Sequence, residues 1–193
     1  MFPLDADGVT VRPIGRLDGK PAFAELFLDD VFVPDADVIG APGDGWRVAM
    51  STAGNERGLT LRSPGRFTAA AGRLTELWRE RADPADTALR DRVADAVIGS
   101  RAYELFAYAN ASLIASGGSI GAESSLNKVF WSELDIALHE TALDVLGPDG
   151  ELAEGDWAEG YVFSLAGPIY AGTNEIQRDI IAERLLGLPK GRR

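Results

Sequence analysis

The hydrophobic period of this chain changes near Trp46, and that change limits what it can fold into. Upstream, the run AFAELFLDDVFVP (residues 22–34) places Phe23, Phe27, Val31 and Val33 at even spacing around acidic breaks. Period-two spacing suits strands, whose successive side chains point to opposite faces. Val9 to Ile14 is β-prone, and Leu17-Asp18-Gly19-Lys20-Pro21 reads as a turn between strands. From Trp46 onward apolar residues recur at steps of three and four, the helical spacing.

That spacing predicts a first helix over 45–82, with glycines at 54 and 58 and a kink at Pro64-Gly65. A second over 87–116 carries Ile98, Ala102, Leu105, Phe106, Ala109 and Leu113 on one face. A third over 123–146 carries Leu126, Phe130, Leu134, Ala137, Leu138, Ala142 and Val145. A fourth opens at Thr173, which can cap it, with Glu175 in the first turn; Gly187 and Pro189 end it. ADPAD (82–86), GGSIG (117–121) and LGPDGELAEGDWAEG (146–160) read as connectors, the last an acidic loop. The expected fold class is mainly α: a four-helix bundle over 45–193 preceded by a short β-rich segment over 1–44. Two strands make no stable sheet alone, so the lead-in packs on the bundle or belongs to a larger protein.

Composition narrows the chemistry. Apolar residues make up 46% of the 193, enough for a core. There is no cysteine, which removes disulfides, thiolate metal sites and thiol catalysis. The single histidine, His139, excludes a multi-histidine metal site and reads as a packing residue. A net charge of −11 argues against a nucleic-acid partner. No window approaches a membrane span, and the N-terminus has no signal-peptide pattern, so the expectation is a cytoplasmic protein. The clusters Asp29-Asp30 and Glu151-Glu154-Asp156 lack metal-loop spacing and read as solvated loops, with no metal expected.

Three stretches carry a family resemblance: LFLDDVFVPDADVIGAPGDGW, SSLNKVFWSELDIALHETALDVLGPDG and IYAGTNEIQRDIIAERLLGLP. In this order the chain resembles the acyl-CoA dehydrogenases, flavoenzymes that desaturate acyl-CoA thioesters between Cα and Cβ. The resemblance implies the family's C-terminal four-helix domain with a remnant of its middle β-domain over 1–44. It implies FAD as cofactor, acyl-CoA as substrate, assembly with itself or with another acyl-CoA dehydrogenase subunit, and electron-transfer flavoprotein as acceptor. A fragment, or one subunit of a split enzyme, is expected.

The family's usual base is a glutamate directly after the closing tyrosine, but here that position is Ala171. STAGNERGLTLR (51–62) is similar to the Glu-Arg pair on which one branch of the family carries its base, making Glu56 the candidate catalytic residue. Arg57, Tyr170 and Ala171 are the implied substrate contacts, with Arg57 equally readable as a surface ion-pair partner. Gly172, Thr173, Glu175 and Gly147 are the implied cofactor contacts, while Thr173 with Tyr170 also reads as a plain N-cap beside a core tyrosine. Two departures stand out. RERADPADTALR lacks the Phe-Gly of the family's pyrophosphate segment, and Asp144 and Pro148 replace a glutamine and a glycine. The added acid predicts weak FAD binding by the chain alone. The alternative reading is a non-catalytic partner subunit or helical interaction module.

Overall fold

The structure is a computed structural model and describes residues 1–58, 63–152 and 154–191, with side chains from 52 to 62 outside the described part. Two compact units are present, Met1–Asn55 and Glu56–Arg193. In the first, β1 (Val9–Gly15) pairs antiparallel with β2 (Pro21–Leu28), in register from Val9 opposite Leu28 to Ile14 opposite Phe23. The turn between them is tied by the Asp18 carboxylate, which accepts from the Lys20 N–H at 3.0 Å and pairs with Arg16. That backbone N–H, followed by the Arg16 charge, holds the Asp18 carboxyl below its usual value. α1 (Gly45–Gly58) follows.

The single kinked helix expected over 45–82 is two helices: α1 ends at Gly58 and α2 runs Pro64–Arg81. Proline excludes the residue before it from the helical region, and Ser63 is extended at φ −53°, ψ 122°. Pro64 then starts a helix in the one turn where a missing N–H does no harm. α3 (Thr87–Ala115) begins at an Asp86 cap whose carboxylate accepts from Leu89 N at 2.9 Å. α4 (Glu123–Leu146) ends at Gly147, φ 58°. The acidic segment is not all loop: a 3-10 turn at Gly147–Glu151 precedes α5 (Asp156–Ser164). Asp156 and Glu159 lie in the first turn of α5, where carboxylates favour a helix start. α6 (Asn174–Ile180) continues as a π turn over Ile181–Leu185. The helical fold class stands, and no helix among the described residues is long and apolar enough to cross a membrane.

α4 is the central helix, packing against α2, α3, α5 and α6. One core cluster joins Ala70, Ala71 and Leu74 of α2, Val93 and Ala96 of α3, and Leu138, Ala142 and Val145 of α4. A second, nearer the N-terminus of α4, joins Phe67, Tyr103 and Trp131, with Leu134 and Tyr170 against it. Phe67 meets Tyr103 edge-on at 5.1 Å between centroids.

The apolar stripe that the sequence marks on α3 faces outward. The buried positions are Val93, Ala96, Ser100, Tyr103, Ala107 and Asn110, while Ile98, Leu105 and Leu113 are exposed. Small residues bring the helices close: a Cβ on Gly99 would lie 2.9 Å from Leu134 Cδ1. α4 is split likewise, with Leu138, Ala142 and Val145 inside but Leu126 and Phe130 outside. Substitution should separate the faces. Leu138→Ala is expected to cost about 2–5 kcal/mol of stability. Ile98→Ser should change stability by no more than about 0.5 kcal/mol. Urea unfolding followed by circular dichroism measures both, and equal losses would refute the inside-out arrangement of α3.

Candidate functional site

The closing segment GPIYAGTNEIQ folds as a tight loop leading into α6, seated on the N-terminal half of α4. Gly167 lets it approach: a Cβ there would lie 3.2 Å from Ser132 Cβ and 2.9 Å from the Ser164 carbonyl. Asn174 N–H donates to the Pro168 carbonyl at 2.8 Å, closing the loop on itself. Tyr170 is half-buried and packs on Trp131, with ring centroids 5.9 Å apart. Ala171 and Gly172 both adopt positive φ, 55° and 89°. Gln177, buried in the first turns of α6, donates from Nε2 to the Ala171 carbonyl at 3.0 Å. A Cβ on Gly172 would lie 2.6 Å from that same Nε2.

Thr173 caps α6 as the sequence implies, its hydroxyl oxygen accepting from Ile176 N at 3.4 Å. Exposed Glu175 has its carboxyl held below the ordinary value by its own backbone N–H, then by the Thr173 hydroxyl, with Arg178 and Lys128 adding to the effect. The turn therefore ties up the threonine hydroxyl. The N–H groups of Gly172 and Thr173 donate no hydrogen bond among the described residues.

Beneath the loop lies a polar cluster that the sequence reading passed over. Lys128 of α4 is only 1% exposed, and its ammonium donates to Asn174 Oδ1 at 2.7 Å. Asn174, 3% exposed, donates from Nδ2 to Ser132 Oγ at 3.1 Å and to Glu133 Oε1 at 3.2 Å. Glu133 also pairs with Arg178. Burial lowers the Lys128 pKa, while the charges of Glu175 and Glu133 oppose that shift. A second polar group lies further along the helix. Asp135 pairs with Arg66 at 2.7 Å, and His139 Nδ1 meets the Asp135 carbonyl at 2.7 Å. His139 is buried against Trp157, as a packing residue should be. The signal for this face was present: Ser125, Lys128, Ser132, Asp135 and His139 recur at steps of three and four on α4.

Tyr170, Ala171, Gly172 and Thr173 lie in this loop and Glu175 in the first turn of α6 that follows. Gly147 is not among them. It sits exposed at the end of α4, about 22 Å along the helix from Ser132 at 1.5 Å per residue. Near it, Asp144 is paired with Arg92 and Asp149 with Arg81, while Asp83 and Asp86 of the connector accept from the backbone N–H groups of Ala85 and Leu89. Glu56 and Arg57 lie on α1, and their side chains fall outside the described residues.

The two positive-φ residues give a test of the turn. Gly172→Ala adds a Cβ both to a left-handed backbone and against Gln177, and should lower stability by about 1–3 kcal/mol. Ala171→Gly relieves left-handed strain while loosening the unfolded chain, so it should be neutral to within about 1 kcal/mol. Thermal melts of both variants decide this, and equal losses would show that the turn is not held as described.

Comparison with known proteins gives a consistent picture. The family model for the acyl-CoA dehydrogenase C-terminal domain matches residues 43–186. The acyl-CoA dehydrogenase IpdE1 of Mycobacterium tuberculosis is 42% identical over a 198-residue alignment covering 98% of this chain and 50% of that protein. Among solved structures, the Tcur3481-Tcur3483 steroid ACAD superposes with a TM-score of 0.85 at 22% identity, covering 98% of this chain and 51% of that one. The ChsE4-ChsE5 complex from Mycobacterium tuberculosis gives 0.82 at 25% identity, with 98% and 52% covered. The chain spans about half the length of the IpdE1 relative it matches.

Proposed function

This chain belongs to the acyl-CoA dehydrogenase family, and from that premise we propose that it contributes to the flavin-dependent α,β-desaturation of an acyl-CoA thioester. The observation that carries this reading is the loop at 168–174. It keeps a fixed backbone, held by Gln177 and Asn174, although Ala171 puts a methyl group where the family's carboxylate is expected. Two consecutive positive-φ residues, one of them not glycine, are a costly backbone of the kind that clusters at ligand sites, which supports the reading.

The residues present fit a flavin. The exposed backbone of Gly172 has no Cβ, and the N–H groups of Gly172 and Thr173 are open to an acceptor. Bound FAD would supply the acceptor for the hydride leaving Cβ. Tyr170 and Ala171 would line the acyl cavity, with the small alanine leaving space beside the tyrosine ring. A methyl group takes no proton, so the α-proton goes to another residue. We assign that role to Glu56, with Arg57 beside it, because STAGNERGLTLR is similar to the Glu-Arg pair of one family branch. Gly147 would serve a different part of the cofactor from the 170–173 loop. Electron-transfer flavoprotein is the proposed acceptor, in the cytoplasm.

In the FAD-containing assembly, Glu56→Gln should keep fold and flavin while lowering turnover about 10²- to 10⁴-fold. Introducing glutamate by Ala171→Glu in that background should recover part of the rate. Undiminished turnover in Glu56→Gln would overturn the assignment.

A second reading is favoured by the outward stripe of α3 and α4. Ile98, Leu105, Leu113, Leu126 and Phe130 are each more than 40% exposed. Tyr103, Phe106, Leu126, Asn127 and Phe130 line a groove of about 300 Å3, and Asn127 Oδ1 is buried there without a hydrogen bond among the described residues. Such a face fits an interface with another subunit. On this reading the chain completes a hetero-oligomeric acyl-CoA dehydrogenase without carrying its base. Light scattering should then show an oligomer, and FAD should bind the assembly far more tightly than the chain alone. A monomer at high concentration that binds one FAD per chain would refute the need for a partner.

A further inference from the structure

The buried pair between α4 and α6 has a role that the proposed chemistry leaves unassigned. Lys128 is almost wholly buried, and its ammonium meets a neutral amide oxygen at 2.7 Å rather than a carboxylate. Asn174 uses the whole of its side chain on α4: Oδ1 for Lys128, Nδ2 for Ser132 and Glu133. Its backbone N–H meanwhile closes the loop through the Pro168 carbonyl at 2.8 Å. One residue is therefore the rivet between α4 and both ends of the 168–174 loop.

We propose that Lys128 is a positioning residue that fixes the Tyr170–Thr173 turn by anchoring Asn174 to α4. The geometry favours this over plain packing. An apolar side chain would fill the same space at less desolvation cost. Lysine is used where an acceptor must be held at one point. Asn174 is the residue after the Thr173 cap, so a shift of its side chain moves Gly172 and Thr173 directly. Gln177 reaches the same turn from the next helical turn, through the Ala171 carbonyl at 3.0 Å. The two bonds hold the turn from opposite ends, and the one from Lys128 ties it to the bundle. The functional meaning rests on the reading of this turn as flavin-facing; the anchoring itself does not.

Amide hydrogen exchange on the full chain tests the anchor without flavin. Lys128→Met removes the ammonium and keeps the stem. Loss of a charge-assisted hydrogen bond should lower protection of the Asn174 and Gln177 amides about 10- to 100-fold, leaving the helical amides of Leu74 and Ala142 unchanged. Lys128→Arg, which keeps the cation, should restore part of that protection. Asn174→Ala removes the acceptor instead of the donor and should open the same amides, so a poorly folding lysine variant does not end the test. Protection lost evenly across α2, α3 and α4, or unchanged at Asn174 and Gln177, would overturn the proposal. In the FAD-loaded assembly, Lys128→Met should also shift the visible flavin bands, and Lys128→Arg should return them. Opened amides with an unaltered flavin spectrum would leave the anchor standing and overturn the cofactor reading of the turn.

Discussion

A lysine ammonium removed from water needs a fixed acceptor, because unpaired burial of a charge costs more than a helix-helix contact returns. At Lys128 that acceptor is Asn174 Oδ1, and the other half of the Asn174 amide is fixed by Ser132 and Glu133. Once the asparagine is fixed, the start of α6 is fixed, and with it the Thr173 cap and the Gly172 backbone before it. Gly167 is what allows the loop to reach this position, since a larger residue would press on Ser132 and Trp131. A charge-assisted bond of this kind contributes about 1.5–3 kcal/mol. Here its value lies in where it places the loop.

The same economy shapes the bundle. α4 touches four other helices, and its inward face mixes Leu138, Ala142 and Val145 with Ser125, Lys128, Ser132 and Asp135. α3 meets it through Ala96 and Gly99, small enough for close approach, while the Ser100 hydroxyl faces the Phe67 carbonyl of α2. The larger apolar side chains of α3 are left on the outside. A helix apolar on two faces is one that expects two neighbours. In this chain the inner neighbours are α2 and α4, and the outer stripe has no cover among the described residues.

Much of this was legible in the sequence. The bounds of α3 and α4 follow from the helical period and the connectors on either side. Thr173 as the cap of α6 was equally plain. Which face of α3 points inward was not, because hydrophobicity marks Ile98 and Leu105 while close packing selects Ala96 and Ser100. α5 was hidden by its own helix-start signal: Asp156 and Glu159 look like loop acid until they are seen in a first turn. Lys128 was hidden because a lysine on a helix is ordinarily solvated. Its neighbours at steps of three and four, Ser125, Ser132 and Asp135, mark a stripe whose meaning depends on Asn174, more than forty residues away. The side chain of the candidate base Glu56 lies outside the described part, and the assignment rests on its motif alone.

Ala171 brings these strands together. Its backbone is left-handed at φ 55°, a conformation that costs an alanine about 1–2 kcal/mol and that glycine would adopt freely. The surroundings enforce it: Gln177 holds the Ala171 carbonyl, and Asn174 closes the loop beyond. Under the proposed function, the alanine Cβ would serve as a small wall of the acyl cavity beside Tyr170. On the proposed reading, base and pocket wall have become separate residues, with proton transfer on the first helix and geometry in the closing loop. Anchoring by Lys128 and Asn174 is what such a division requires, because a wall works only while it stays in place.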